Sequence, residues 1–311
     1  MCNNGGRSYI PDIPSYIDTI KDIITPKTEP LALRKLCIVY NTACNIDCAL
    51  CFADHDKIGD GKTLSNSKLF PFMKRFLKTV SNNWIVWEGK GEVLAAPYFY
   101  DAINWCTRKF PYTQHTVITN GTLSTALTRF DSPGKINLSV SLDGLKEFHD
   151  KNRGIGNFDK TVEFLRFASK MNFKSICVRT IVTQENLYAL PEFRQFIIDI
   201  NRDIKIYLQE LLKPQKPCKY DKLYVSSDIL KLLANEKYGI ITEPSFGPEG
   251  SKRFCIHPDG IYNCGNNIVK IGDFNESPDK ILLNFTESKL GCDRCPNNTC
   301  SNTEVNYDTT D

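Results

Sequence analysis

Apolar and polar positions along this chain follow two alternating rhythms. Short apolar runs rich in β-branched residues recur at Leu36 to Asn41, Trp84 to Glu88, His115 to Thr119, Ile136 to Ser141, Ile176 to Val182 and Ile204 to Leu208. Each predicts a strand. Between them, apolar residues return every three or four positions and predict helices over Ser67 to Val80, Tyr98 to Lys109, Leu123 to Phe130, Asp159 to Met171, Pro191 to Ile200 and Ser226 to Glu236. Pro71 is tolerable only near the first turn of its helix, and Asp159 suits a helix N-terminus. Six strand–helix alternations argue a parallel α/β sheet with helices outside, too few units for a closed eight-fold barrel. In such folds chemistry gathers at the C-terminal ends of the strands. The segment before the first strand carries one weak amphipathic stretch, Tyr16 to Ile24, and reads as a lead-in.

Composition narrows the function classes. At 311 residues the chain can bury a full core. Its 39 basic and 36 acidic residues leave a net charge of +3, which points to no nucleic-acid or membrane-surface partner. No apolar stretch reaches the length of a membrane span, and the N-terminus lacks a signal peptide's apolar core. A cytoplasmic location is the expectation. There, thirteen cysteines point to metal rather than disulfides.

Three of those cysteines, Cys44, Cys48 and Cys51, follow the first strand in the run Tyr40-Asn-Thr-Ala-Cys-Asn-Ile-Asp-Cys-Ala-Leu-Cys-Phe52. Three thiolates this close can hold three corners of a [4Fe–4S] cluster, leaving the fourth iron open to a ligand. Zinc sites usually show paired cysteines in two knuckles, so a lone uneven triplet fits them poorly. Other strand ends also carry candidate chemistry. After the second comes Glu88-Gly-Lys-Gly-Glu-Val-Leu94, where small residues let a ligand approach the backbone and Glu92 can accept from an ammonium group. Asn120-Gly121 closes the third strand. The fourth runs into Leu142-Asp143-Gly144 and then His149-Asp-Lys-Asn-Arg153, with His149 read as structural. Arg179, mid-strand, is costly there unless paired, either with a ligand inside the barrel or in a structural ion pair. Cys218, beyond the sixth strand, is a candidate hydrogen-atom donor, with a plain loop cysteine as the alternative. Cys37, Cys106 and Cys177 are read as core.

Five more cysteines crowd the C-terminal end: Cys255, Cys264, Cys292, Cys295 and Cys300. The first two bracket a predicted hairpin turning at Pro258-Asp259-Gly260. With Cys292 and Cys295 they supply four thiolates for one closed site, which in isolation reads equally as zinc or iron–sulfur.

The Cys44-Cys48-Cys51 triplet on a loop after an apolar strand resembles the radical S-adenosylmethionine (SAM) superfamily. One departure is Leu50, where the family often has an aromatic residue; Phe52 follows instead. The resemblance implies a partial (β/α)6 TIM-like barrel. It also implies that the open iron binds the amino and carboxylate groups of SAM. One electron then cleaves SAM to methionine and a 5′-deoxyadenosyl radical, which takes a hydrogen atom from a substrate. Gly91 and Glu92 resemble the end of the family's Gly-Gly-Glu-Pro element, which meets the SAM amino group, with one inserted residue and Val93 in place of proline. The Ser141-Leu-Asp-Gly, His149-Asp and Arg153 stretch resembles the SPASM and Twitch branches, including anaerobic sulfatase-maturating enzymes. That implies SAM contacts from Ser141 and Arg153, with Arg179 a further candidate. The C-terminal cysteines resemble a Twitch module or the front of a SPASM module. They imply one auxiliary [4Fe–4S] cluster on Cys255, Cys264, Cys292 and Cys295, with Cys300 an alternative ligand.

The expected organisation is a lead-in over 1–34, a barrel over 35–238 and a small C-terminal cysteine-rich auxiliary-cluster module over 239–311. The expected function is oxidative modification of a peptide or protein side chain. Two alternatives stand beside it: a dehydrogenase or epimerase of a small polar metabolite (a sugar or aminocyclitol), and a non-catalytic iron–sulfur or zinc-binding protein. The lead-in is too short for the N-terminal domain that many peptide modifiers use to hold a leader peptide. The resemblance further implies an electron donor such as flavodoxin or ferredoxin.

Overall fold

The computed structural model describes residues 32–33, 35–51, 56–57, 61–82, 84–211, 221–235, 238–241, 254–263 and 269–288. Six strands alternate with helices as the apolar rhythm predicts. In order come β1 (Leu36–Val39), α1 (Asn66–Thr79), β2 (Trp84–Glu88), α2 (Phe99–Lys109), β3 (Gln114–Thr119), β4 (Ile136–Ser141), α3 (Lys146–Arg153), α4 (Asn157–Ala168), β5 (Ser175–Val182), α5 (Leu190–Ile200) and β6 (Lys205–Glu210). They are followed by α6 (Ser227–Asn235), β7 (Ile240–Ile241), β8 (Phe254–His257), β9 (Gly260–Tyr262), β10 (Lys270–Gly272) and α7 (Pro278–Glu287).

The strands form one sheet in the order β7-β6-β5-β4-β3-β2-β1-β8-β9-β10. Every pairing from β7 through to β8 is parallel, and the last two are antiparallel. Sequential parallel order with helical crossovers is the partial TIM-like barrel, with all its strand C-termini at one end. The predicted hairpin over 254–264 forms as β8 and β9, with Pro258 and Asp259 in the turn. It extends the barrel's own sheet, because β8 pairs with β1 and sets Cys255 opposite Cys37.

Alternation along the strands separates two faces. Leu36 and Ile38 of β1, Ile85 and Trp87 of β2, Leu138 and Val140 of β4, and Val178 of β5 pack outward against the helices, meeting Phe72, Phe76, Phe164 and Phe193. Each of those phenylalanines is fully buried, and such burial contributes roughly 2 kcal/mol apiece. Packing therefore holds α1, whose Pro71 lies beyond the first turn and removes a helical N–H. The opposite face lines the barrel. Low down it is apolar, where Cys37, Val86, Cys255 and Tyr262 cluster. Higher up it is polar, carrying Ser139 and Ser141 of β4, Cys177 and Arg179 of β5, and Tyr207 and Gln209 of β6.

Three expectations change. The helix predicted at Leu123 to Phe130 is a 3₁₀ segment, Ser124–Arg129. Helix α3 escapes the periodicity because its sequence, Lys-Glu-Phe-His-Asp-Lys-Asn-Arg, is nearly all polar; it buries His149 and Asn152 instead of an apolar stripe. Cys177 belongs to the barrel lining rather than the core, and only Cys37 and Cys106 of the three are fully buried. The stretch Tyr16 to Ile24 and the cysteines Cys218, Cys264, Cys292, Cys295 and Cys300 lie outside the described residues.

Candidate functional site

The C-terminal ends of β1 to β5 converge beneath the loop that leaves β1 and carries the cysteine triplet. Its first part is fastened to the end of β2. Asn41 donates through Nδ2 to the carbonyls of Ala43 (2.9 Å) and Glu92 (3.0 Å). The Glu92 N–H donates to Ala43 O at 2.9 Å. Gly91 lies so close that a Cβ there would stand 1.7 Å from Ala43 O and 2.6 Å from Cys44 N. The small residue expected to admit a ligand here admits the chain's own cysteine loop.

Glu92 is 2% exposed and its carboxylate is fully engaged. Oε1 accepts from Leu94 N (3.0 Å) and from the Thr119 hydroxyl (2.7 Å), and Oε2 accepts from Asn120 N (2.6 Å). Burial pushes its pKa up, against the pull of those three donors. The carboxylate thereby ties the end of β2 to the end of β3. Asn120, held at that junction, points its Nδ2 at Cys44 Sγ (4.0 Å) and at Asn45 Oδ1 (2.8 Å).

The other side of the loop meets the end of α3. Arg153 pairs with Asp143, Nε donating to Oδ2 at 2.6 Å, and directs Nη1 at Cys48 Sγ (3.9 Å). Both partners are largely buried, with side-chain exposures of 12% and 4%. Burial works to raise the Asp143 pKa, but the guanidinium outweighs it and holds the carboxyl below its usual range. His149 is fully buried and accepts from Asp143 N through Nδ1 (3.2 Å), so it is a structural base. Ser141 ends β4 opposite Arg179 of β5, both half-buried on the lining. Arg179 forms no ion pair among the described residues, so the structural pairing considered for it is not seen there.

None of the three triplet cysteines is in a disulfide. Burial raises the pKa of Cys44, and raises that of Cys48 to about 12, where Arg153 partly opposes it. Thiol ligands lose their protons when a metal binds them. Among the described residues no three His, Cys, Asp or Glu side chains gather around a single ion.

Three supporting residues, Asn120, Asp143 and Asn152, lie inside runs that the sequence marked, but were given no role of their own there. Asn120 and Asp143 stand at strand ends that the strand predictions had marked, whereas Asn152 becomes visible only once α3 is known to be a helix. Of the C-terminal cysteines, Cys255 is fully buried on the lining beside Cys37.

Comparison with known proteins bears on the family and the fold. A cysteine-type anaerobic sulfatase-maturating enzyme from Clostridium perfringens (strain 13 / Type A) is 26% identical over 208 residues, covering 58% of this chain and 56% of the relative. The chain thus spans little more than half the length of that curated relative. Among solved structures, native anSMEcpe with bound AdoMet and Cp18Cys peptide superposes with a TM-score of 0.65 at 21% identity, covering 86% of each chain. Streptococcus suis SuiB bound to precursor peptide SuiA superposes with a TM-score of 0.66 at 13% identity, covering 94% of this chain and 74% of that one. At these identities both show the fold. The sequence profile of the Radical SAM superfamily matches residues 38–197, about half of the chain, and the chain belongs to that superfamily.

Proposed function

We propose that this enzyme cleaves SAM reductively and uses the resulting radical to oxidise a side chain of a peptide or protein. The observation that carries the reading is the Cys44-Cys48-Cys51 loop seated at the C-terminal mouth of the barrel, with Asn120 and Arg153 aimed at two of its sulfurs. Cys44, Cys48 and Cys51 would hold a [4Fe–4S] cluster there, which would supply the electron for reductive SAM cleavage and so for hydrogen-atom abstraction from the substrate. The chain's own residues prepare that chemistry. Gly91 and Glu92 set the height of the cysteine loop over β2. Arg153, fixed by Asp143, presents a buried cation beside Cys48 at the mouth, suited to a charge-assisted bond with the SAM carboxylate. Ser141 and Arg179 extend the polar lining below it.

The peptide side-chain reading is supported by the relatives. The curated one is a sulfatase-maturating enzyme, and two structures of the same fold were solved with peptides. An auxiliary [4Fe–4S] cluster on Cys255, Cys264, Cys292 and Cys295, with Cys300 in reserve, would accept the second electron of the oxidation. A flavodoxin or ferredoxin would supply the first. Cys218 is the candidate hydrogen donor if the outcome is not an oxidation.

The test is anaerobic reconstitution with iron and sulfide, followed by SAM and dithionite. 5′-Deoxyadenosine is expected from the native chain and none from Cys44→Ala. Cys292→Ala is expected to keep much of the SAM cleavage while losing modified product. A native chain that holds its cluster yet yields no 5′-deoxyadenosine would refute the reading.

A further inference from the structure

The last turn of α3 grips the cysteine loop through Asn152, the residue before Arg153 in the His149-Asp-Lys-Asn-Arg153 run. Two backbone amides lie between Cys48 and Cys51, and Asn152 receives both. Ala49 N–H donates to the Asn152 carbonyl at 2.7 Å. Leu50 N–H donates to Asn152 Oδ1 at 2.8 Å. The Cys51 N–H closes the turn onto Cys48 O at 3.1 Å.

Asn152 is itself locked. It is 7% exposed, and its Nδ2 donates to Asp143 Oδ2 at 2.6 Å. An amide that must donate to a carboxylate on one side and accept from an N–H on the other has only one orientation. Asp143 is in turn held by the N–H of Ile181 in β5, which donates to Oδ1 at 3.0 Å, and by Arg153. An unbroken line of short hydrogen bonds therefore runs from the fifth strand, through Asp143 and Asn152, to the peptide between two cluster ligands.

We propose that Asn152 is a positioning residue for the radical centre: it sets the spacing of Cys48 and Cys51 before iron arrives, with Asp143 as its anchor. The proposal rests on the reading of the triplet as a cluster site and adds to it a residue that touches neither iron nor SAM. Its physical basis is that a cubane needs its sulfurs at fixed separations. A loop whose two intervening amides are already bonded to one buried residue, Ala49 N–H to its backbone carbonyl and Leu50 N–H to its side chain, does not pay again to order them when the cluster binds. Supporting residues of this kind usually matter 10–100-fold, roughly, to metal affinity.

Two measurements on the full chain test it. In the protein without iron, Asn152→Ala is expected to raise hydrogen exchange at the Leu50 amide about tenfold or more, while exchange in β1 to β5 stays at the native level. In the anaerobically reconstituted protein, the same variant is expected to release iron to a chelator at roughly 10–100-fold lower chelator concentration than the native chain. Asn152→Asp retains an acceptor for Leu50 but sets a second carboxylate against Asp143, and it is expected to fail in the same way. Native exchange at Leu50, or native iron retention in Asn152→Ala, would overturn the proposal. So would a loss of the far-ultraviolet dichroism of the barrel, which would assign Asn152 to the fold instead. A native chain that takes up no iron at all would remove the cluster reading on which the proposal stands, whereas iron retained equally by native chain and variant would remove the proposal alone.

Discussion

Gly91→Ala is a small change whose consequence can be worked from the structure. The added Cβ would stand 1.7 Å from Ala43 O, 2.0 Å from Ala43 C and 2.6 Å from Cys44 N. All three are backbone atoms, so no side-chain rotation relieves the contact. Reaching a separation of about 3.0 Å, the shortest that real Cβ atoms tolerate, requires Ala43 and the cysteine loop to withdraw from that Cβ by about 1.3 Å. That movement breaks the bonds that Glu92 N and Asn41 Nδ2 both donate to Ala43 O, each 2.9 Å long. Two lost bonds at about 1 kcal/mol each and an overpacking cost of about 1–3 kcal/mol give a destabilisation of roughly 3–5 kcal/mol. The displaced segment carries Cys44, and a misplacement on the order of 1 Å can lower a rate by about a hundredfold. Chemical denaturation measures the first effect, and 5′-deoxyadenosine formation measures the second. Gly134→Ala is the control: its nearest neighbour would be Asn172 O at 3.4 Å, an ordinary contact, and it is expected to lie within about 0.5 kcal/mol of the native chain. A Gly91→Ala protein of native stability and native rate would refute the claim that this glycine exists to seat the cysteine loop.

Three further outcomes are expected. Glu92→Gln turns an amide NH₂ either toward Asn120 N or toward Leu94 N and the Thr119 hydroxyl together, and should cost about 1–3 kcal/mol in a denaturant melt, with SAM cleavage falling as Asn120 loosens. Stability should also fall as pH drops from about 6.5 toward 4. Burial holds His115 and His149 at about 4, each with Nδ1 accepting a bond (from Trp87 Nε1 and Asp143 N), so the unfolded chain takes up protons that the fold refuses, worth up to about 3 kcal/mol each. The Asp143–Arg153 pair, whose carboxyl is held below the ordinary range, should persist through that window and fail only under stronger acid; a melting profile flat between pH 7 and pH 4.5 would contradict the assignment. Finally, Arg179→Gln should leave the melting temperature almost unchanged, because Arg179 forms no ion pair among the described residues, while lowering turnover if the guanidinium serves a ligand; a large loss of stability would restore the structural explanation.

The parts of this protein that were legible in its sequence are those where one residue type answers one physical demand. The six strands showed through because their outward positions must be apolar to meet Phe72, Phe164 and their neighbours, and that demand repeats with a fixed period. The triplet showed through because few residues other than cysteine hold iron–sulfur clusters. What failed to show is the support beneath them. Helix α3 has no apolar stripe, because its buried positions are filled by a histidine and an asparagine that satisfy backbone groups elsewhere. Periodicity counts apolar residues, so it passes over such a helix. Cys177 was misplaced for the complementary reason. A cysteine in a β-branched run reads as core, and only the pairing with Ser139 on β4 and Lys205 on β6 reveals that it faces the lumen.

The two kinds of miss have a common origin. Around a reactive centre the chain uses polar side chains as internal fasteners: Glu92 between β2 and β3, Asp143 between α3 and β5, and Asn152 between α3 and the cysteine loop. Each joins segments far apart in sequence, and its meaning depends on a partner that no local pattern names. A buried polar group is costly alone and valuable when every bond is met, so these positions tolerate little substitution for a reason unrelated to contact with substrate. A carboxylate or amide at a strand end in such a barrel is therefore ambiguous between ligand and fastener until its hydrogen bonds are counted. Glu92 shows how the count decides: with three donors from the chain already on its two oxygens, its first task is to hold the mouth of the barrel in shape.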